Sequence, residues 1–225
     1  GDVLFIDEIH RLSKSIEEVL YPAMESGVLD IIIGKGPSAR TVQLELPPFT
    51  LVAATTRISL LSSPLRSRFS GGTFRLEFYS DAEIASVLKR SAELLTINVE
   101  APLLEQIAKR CRATPRTANY LLKRCRDLAQ LESKDLDKDI VEKTFDLLEI
   151  DTLGLTGPDR TLLLSIIEKF NGGPVGLNTM AAATGEEMAT IEDVLEPYLI
   201  RQGLIERTPR GRVATSTAYS HIKLT

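Results

Sequence analysis

Disulfide scaffolding is not available to this chain: its 225 residues include two cysteines, Cys111 and Cys125, and they do not have metal-ligand spacing. A reducing, cytoplasmic setting is therefore expected. Long hydrophobic runs are also missing. Stretches such as Val3 to Ile6 and Leu51 to Ala54 fall far short of the roughly 20 residues a membrane helix needs. There is no secretory h-region, internal repeat or low-complexity tract. Basic excess is absent too, with 27 Lys+Arg against 31 Asp+Glu and a net charge of −4. That excludes a surface coated in positive charge but leaves room for a local basic patch. The remaining composition, 43% hydrophobic and 26% charged, is that of a globular protein.

The hydrophobic patterning divides the chain into three parts. In residues 1–80, Asp2 to Asp7 reads as an apolar strand ending in acid, suited to the buried centre of a parallel sheet. An amphipathic helix is expected over Ser13 to Met24, with Ile16, Val19, Leu20 and Met24 on one side. A hairpin is expected over Val28 to Leu46, turning at Gly34-Lys35-Gly36, with further strands at Thr50 to Ala54 and Arg75 to Tyr79. The fold class is α/β.

Residues 81–152 read as a helical bundle capped at Asp81, with helically spaced apolar residues such as Leu103, Leu104 and Ile107. Residues 153–225 follow a Gly/Pro-bearing linker. They predict helices over Arg160 to Phe170, Leu177 to Ala183 and Thr190 to Gln202, then strands at Leu204 to Arg207 and Arg212 to Ser216 around Thr208-Pro209-Arg210-Gly211. Three helices followed by a basic-tipped hairpin make a winged-helix pattern.

The first part carries the chemistry. Its opening strand delivers Asp7 and Glu8 to the carboxyl end of a parallel sheet, where such sheets bind ligands. A first acid there can support Mg²⁺, and the next can polarise an attacking water. Thr55-Thr56-Arg57 brings hydroxyls to the same edge. Ser63-Pro64-Leu65-Arg66-Ser67-Arg68-Phe69 adds two arginines, whose permanent charge suits a phosphoryl transition state. Thr114-Pro115-Arg116 opens a helix with a cation, where the helix dipole gains nothing from it, so Arg116 should have another partner such as a phosphate.

The stretches GDVLFIDEIHRL, LYPAMES, LELPPFTLVAATTR, SPLRSRF, RLEFY, TPRTAN, FNGGPVGL, TIEDVLEPYLI and RTPRGR resemble the AAA+ ATPases and, within them, the RuvB family of Holliday-junction branch-migration motors. The resemblance covers essentially the whole chain, in order. It implies a partial P-loop NTPase sheet domain, a helical lid and a winged-helix domain. It further implies an ATP- and Mg²⁺-dependent motor in a homohexameric ring, acting on Holliday-junction DNA with a RuvA-type partner. Asp7 and Glu8 correspond to the Walker B pair, with Asp7 on the metal, and Thr56 to sensor 1. Arg68 corresponds to the arginine finger offered to a neighbouring subunit, and Tyr79 and Arg116 to nucleotide contacts, Arg116 as sensor 2. Glu25 matches a position near the nucleotide, although Ser26 and Gly27 depart from the acid–aromatic pair that usually follows it.

The hairpin corresponds to the family's docking hairpin. Leu29, Ile31, Ile32 and Ile33 cannot all face one side of a strand, so some should be exposed for a partner. For DNA, the resemblance implies Arg207 and Arg212, with Arg210 at the tip, while Met188 stands where the family has a further basic residue. The helix before the wing carries Glu192, Asp193 and Glu196 and suits phosphates poorly, so backbone contact should come from the wing. His10 and His221 are read as structural and surface residues, and the cysteines as core.

The chain contains no GxxxxGK[ST] stretch to cradle phosphates. The expectation is a C-terminal portion holding half of an ATPase site and inactive alone. A helicase of the DEAH type, suggested by Asp7-Glu8-Ile9-His10, would need a second RecA-like domain. A non-catalytic DNA-binding adaptor is the alternative, but it would have no use for Thr56, Arg68 and Arg116.

Overall fold

The computed structural model describes residues 1–34 and 40–222. Two compact units result, Gly1–Leu76 and Glu77–Thr225. The Lys35-Gly36 part of the expected hairpin turn lies outside the described residues.

In the first unit, strand β1 (Asp2–Ile6) pairs in parallel with β4 (Phe49–Ala53), aligning Asp2 with Phe49 and Ile6 with Ala53. Between them come helix α1 (Lys14–Ser26) and an antiparallel hairpin, β2 (Val28–Ile33) with β3 (Arg40–Glu45). A short helix α2 (Ser63–Ser67) follows, its first turn capped by Ser62 accepting from the Leu65 amide. Ile9, Leu61 and Leu65 form the small core.

Three sequence expectations change here. β1 was expected to be buried on both faces, yet Val3 and Phe5 are exposed, since β4 is its single neighbour among the described residues. Residues 75–79 form no strand and join no described sheet, and Phe74, Leu76 and Phe78 are exposed. On α1, Ile16 and Val19 are exposed while Glu17 and Ala23 are buried. Glu17 tolerates burial because its Oε2 accepts hydrogen bonds from Ser62 (2.6 Å) and Tyr21 (3.1 Å).

The second unit has two hydrophobic cores. The lid core is built from α3 (Asp81–Leu94), α4 (Ala101–Arg110), α5 (Pro115–Glu132) and α6 (Lys138–Leu147), around Leu88, Ile107, Leu121, Cys125 and Phe145. The cap of α3 is Ser80, one residue before the expected Asp81. Its hydroxyl accepts from the Glu83 amide while the Glu83 carboxylate accepts from the Ser80 amide, a reciprocal capping box.

The other core gathers α7 (Gly157–Leu164), α8 (Leu177–Thr184), α9 (Met188–Thr190), α10 (Glu196–Arg201) and a hairpin, β5 (Ile205–Thr208) with β6 (Gly211–Ala214). A wider π turn over Ile191–Leu195 joins α9 to α10. Helix α11 (Ser216–Ile222) closes the unit. Val175 bridges β6, its amide donating to the Arg212 carbonyl (3.0 Å) and its carbonyl accepting from the Arg212 amide (2.8 Å). That approach requires Gly211: its φ is +137°, and a Cβ there would lie 2.4 Å from the Val175 carbonyl oxygen. Helix, helix, helix and bridged hairpin in this order are a winged helix.

Candidate nucleotide and DNA sites

Asp7, Glu8, Thr56 and Arg68 follow the ends of β1, β4 and α2, while Glu25 lies in the last turn of α1. Ala54 donates its amide to Ile6 (2.9 Å) and accepts from the Ile9 amide (3.0 Å), which ties the ends of β1 and β4 together. Asp7 is exposed, and Glu8 has a left-handed backbone (φ 50°) stabilised by its amide donating to Asp7 Oδ1 (3.0 Å). The Glu8 carboxylate faces Thr56: Oε2 accepts from the Thr56 amide (3.3 Å) and from its hydroxyl (3.2 Å). The structure thus brings the second acid of β1 to the hydroxyl that follows β4. His10 joins them, with Nδ1 2.9 Å from Thr55 Oγ1 and 3.2 Å from Glu8 Oε2.

Arg68 ends α2. Its guanidinium lies 2.8 Å from Glu25, donates to the Pro64 carbonyl (2.7 Å) and stacks 4.2 Å over the Tyr21 ring. Glu25 and Arg68 are therefore partners within one chain. The hairpin aligns Leu29 with Leu44 and Ile31 with Val42, so Leu29, Ile31 and Ile33 share one face and Ile32 takes the other. Ile31, Ile32 and Ile33 are all exposed, and Leu29 is half-buried.

In the second unit Tyr79 is exposed just before α3, and Arg116 is exposed in the first turn of α5. Among the described residues Arg116 has no ion-pair partner, which leaves its charge available to an outside anion.

The wing arginines divide by environment. Arg207 is exposed and 3.0 Å from the exposed Glu192; Arg210 is exposed at the tip. Arg212 differs from expectation. It is 7% exposed, and its Nε (3.0 Å) and Nη2 (2.7 Å) both donate to one oxygen of Glu196, itself 2% exposed. Arg212 lies opposite Arg207 across the hairpin and shares its face toward Glu196, but β6 is the strand bridged by Val175 and Arg212 is enclosed, so it is not presented to solvent for DNA. The other Glu196 oxygen lies 3.6 Å from Arg207 Nε, too far for a hydrogen bond.

Two groups escaped the sequence reading. His221, expected at the surface, is 8% exposed, with Nε2 2.8 Å from Asp151 Oδ2. Arg112, lost in a run of basic residues, pairs with the fully buried Asp159. Neither has a local signal, because the partners are 70 and 47 residues away.

A strand-end acid facing a threonine, an arginine at the end of the following helix, a helical lid and a winged helix are the architecture of the AAA+ class joined to a winged helix. The comparisons narrow this class. Residues 1–76 match the P-loop domain of the Holliday junction DNA helicase RuvB, residues 79–151 the RuvB AAA lid domain, and residues 152–223 the RuvB C-terminal winged helix domain. The chain is 49% identical to Thermotoga maritima RuvB, described as a Holliday junction branch migration motor, with a TM-score of 0.83 over 99% of this chain and 70% of that one. A point variant of that protein matches with a TM-score of 0.84, again at 49% identity, over 99% of this chain and 71% of that one. The chain belongs to the RuvB family.

Proposed function

We propose that this chain works as part of an ATP-driven motor subunit, in a hexameric ring that drives branch migration of Holliday junctions during recombination and repair. The observation that carries the reading is the hydrogen-bonded pair of Glu8 and Thr56 at one edge of the parallel strands. A carboxylate tethered there by a hydroxyl and an amide is oriented to accept a proton from an attacking water.

The donor set fits ATP·Mg²⁺. Asp7 is a hard oxygen donor with an exposed carboxylate, and no cluster of three His, Cys, Asp or Glu suited to a metal occurs among the described residues. A single exposed carboxylate suits an ion otherwise held by waters and substrate phosphates. Asp7 would hold Mg²⁺ through water, and the bound ion supplies neutralisation of charge on the phosphates. Glu8 orients the water, and Thr56 fixes Glu8. Arg68 leaves Glu25 and Tyr21 to stabilise the transition state at the nucleotide of an adjacent subunit. Glu25 thereby acts on the nucleotide through Arg68 as much as by direct contact. Tyr79 and Arg116 bind nucleotide from the second unit, and Arg116 moves the lid between nucleotide states.

For DNA, Arg207 and Arg210 hold phosphates. The exposed Arg207–Glu192 pair is worth no more than about 1 kcal/mol and yields readily to a phosphate. Arg212 supports the wing from behind. The exposed face of Ile31 and Ile33, with Ile32 on the reverse, docks a RuvA-type junction-binding partner.

The test is ATPase activity with junction DNA and the partner protein, for this chain and for one extended upstream through a phosphate-binding loop. The extended chain should hydrolyse ATP, and Arg68→Ala should lower kcat by about 10³-fold or more. An extended chain that binds DNA but stays silent would sink the motor reading in favour of a non-catalytic adaptor.

A further inference from the structure

Between α4 and α5 the chain makes one tight turn in which Arg112 (φ 61°) and Ala113 (φ 55°) both take the left-handed conformation, rare for residues with a Cβ. Arg116 lies at the exit of this turn and Arg112 at its entrance. The Arg112 guanidinium forms a fork on Asp159: Nη1 donates to Oδ2 and Nη2 to Oδ1, each at 3.2 Å. It also stacks 4.1 Å over the Tyr198 ring, whose hydroxyl donates to the Leu153 carbonyl (2.6 Å). Asp159 is fully buried and caps α7, accepting from the Thr156 amide (2.8 Å) and hydroxyl (2.6 Å). Backbone packing closes the joint. Gly154 has φ +74°, and a Cβ there would lie 2.7 Å from the Arg110 carbonyl and 2.9 Å from the Tyr198 hydroxyl. A planar, bidentate, stacked arginine resists the hinge motion that one flexible ion pair would allow.

The same joint leads on to the wing. Helix α10 carries Tyr198, which meets Arg112, and two residues earlier Glu196, which holds Arg212 of β6. A displacement of the turn beside Arg116 therefore has a route to the hairpin that carries Arg207 and Arg210, through the Arg112–Tyr198 stack, helix α10 and the Glu196–Arg212 pair. We propose that Arg112 is the positioning residue that couples nucleotide state at Arg116 to the DNA-holding wing, acting through Asp159 and Tyr198. This rests on the reading that Arg116 meets nucleotide and the wing meets DNA.

The test uses the full-length protein with Arg112→Met, which keeps an apolar stem over Tyr198 and removes the fork. Two couplings are measured: the ratio of junction-DNA affinities with and without a non-hydrolysable ATP analogue, and the stimulation of ATPase by DNA. By linkage, the effect of DNA on affinity for the analogue must change by the same factor as the effect of the analogue on affinity for DNA. Each affinity measured alone should stay within about twofold of wild type, while the coupling ratio falls at least about fivefold toward one. Arg112→Lys, charged but unable to fork, should recover only part of it.

An unchanged ratio and unchanged stimulation in Arg112→Met would overturn the proposal, and so would loss of both affinities together with thermal stability, the mark of a merely structural residue. If Arg112→Met does not fold, Asp159→Asn, which keeps an acceptor for the α7 cap, is read in the same assay, and intact coupling there overturns it equally. A wild-type protein with no coupling between nucleotide and DNA would instead defeat the functional reading on which the proposal rests.

Discussion

Two arginines five positions apart on one hairpin illustrate how far environment decides the role of a residue. Arg207 pairs with Glu192 in solvent, where water and salt screen both partners. Arg212 and Glu196 are both buried and hydrogen-bonded to each other, with Arg207 Nε 3.6 Å from the other Glu196 oxygen, so the pair replaces most of the hydration each charge has lost. Arg212→Ala should therefore destabilise the winged helix by roughly 3–5 kcal/mol, since it strands a buried carboxylate. Arg207→Ala should cost less than about 1 kcal/mol while weakening DNA binding. Urea unfolding followed by circular dichroism separates the two. Equal stability losses would contradict this division of labour. The sequence cannot make that division, because RTPRGR presents its arginines alike. The cross-strand pairing puts both on the face toward Glu196, and the bridge from the distant Val175 to β6 goes with the enclosure of Arg212 rather than Arg207.

At the scale of elements, the signals that depend on neighbours in sequence were legible. Helical spacing located α3, α4 and α5 within a stretch read as a helical bundle, and the basic turn located the wing. The Asp7-Glu8 and Thr56 positions could be read because a strand end fixes them locally. Elements that depend on a distant neighbour were not legible: residues 75–79 have strand composition but no described ladder partner, and α11 has little apolar periodicity in STAYSHI. The lid offers a quantitative check at this scale. Cys125 sits inside α5 against the bundle core, and burial pushes its thiol from 9.0 up to about 11, only partly offset by a hydrogen bond with Thr144. The thiol is an acid whose folded pKa lies above its unfolded one. The unfolded chain thus loses its proton first as pH rises, and the folded state loses stability between pH 9 and about 11. A two-unit shift corresponds to about 2–3 kcal/mol. Urea unfolding at pH 8 and pH 10.5 should reveal this loss in the native sequence, and Cys125→Ala should remove that part of the pH dependence. The same slope in both proteins would mean that other groups account for it.

The whole molecule carries a net charge of −4, so it has no general attraction for DNA, and any affinity must come from where the positive charge is concentrated. The wing supplies two exposed guanidiniums, Arg207 and Arg210, while Arg212 is neutralised internally. The neighbouring helix brings Glu192 and Asp193, which disfavour close approach of phosphates by any other part of that face. Contact confined to two phosphates has a thermodynamic signature. Each neutralised phosphate releases about 0.9 of a counterion from duplex DNA, so the slope of log affinity against log salt should be about −2 per engaged winged helix. Arg207→Ala should bring that slope to about −1 and weaken binding to junctions of different sequence by similar factors, because phosphates carry no base information. Fluorescence anisotropy across a salt series, with two junctions of unrelated sequence, gives both quantities. A wild-type slope several times steeper would require other basic residues, such as those of the lid, to lie along the DNA. A sequence-dependent loss in Arg207→Ala would mean that the wing reads bases, and the backbone-tracking mode argued here would not stand.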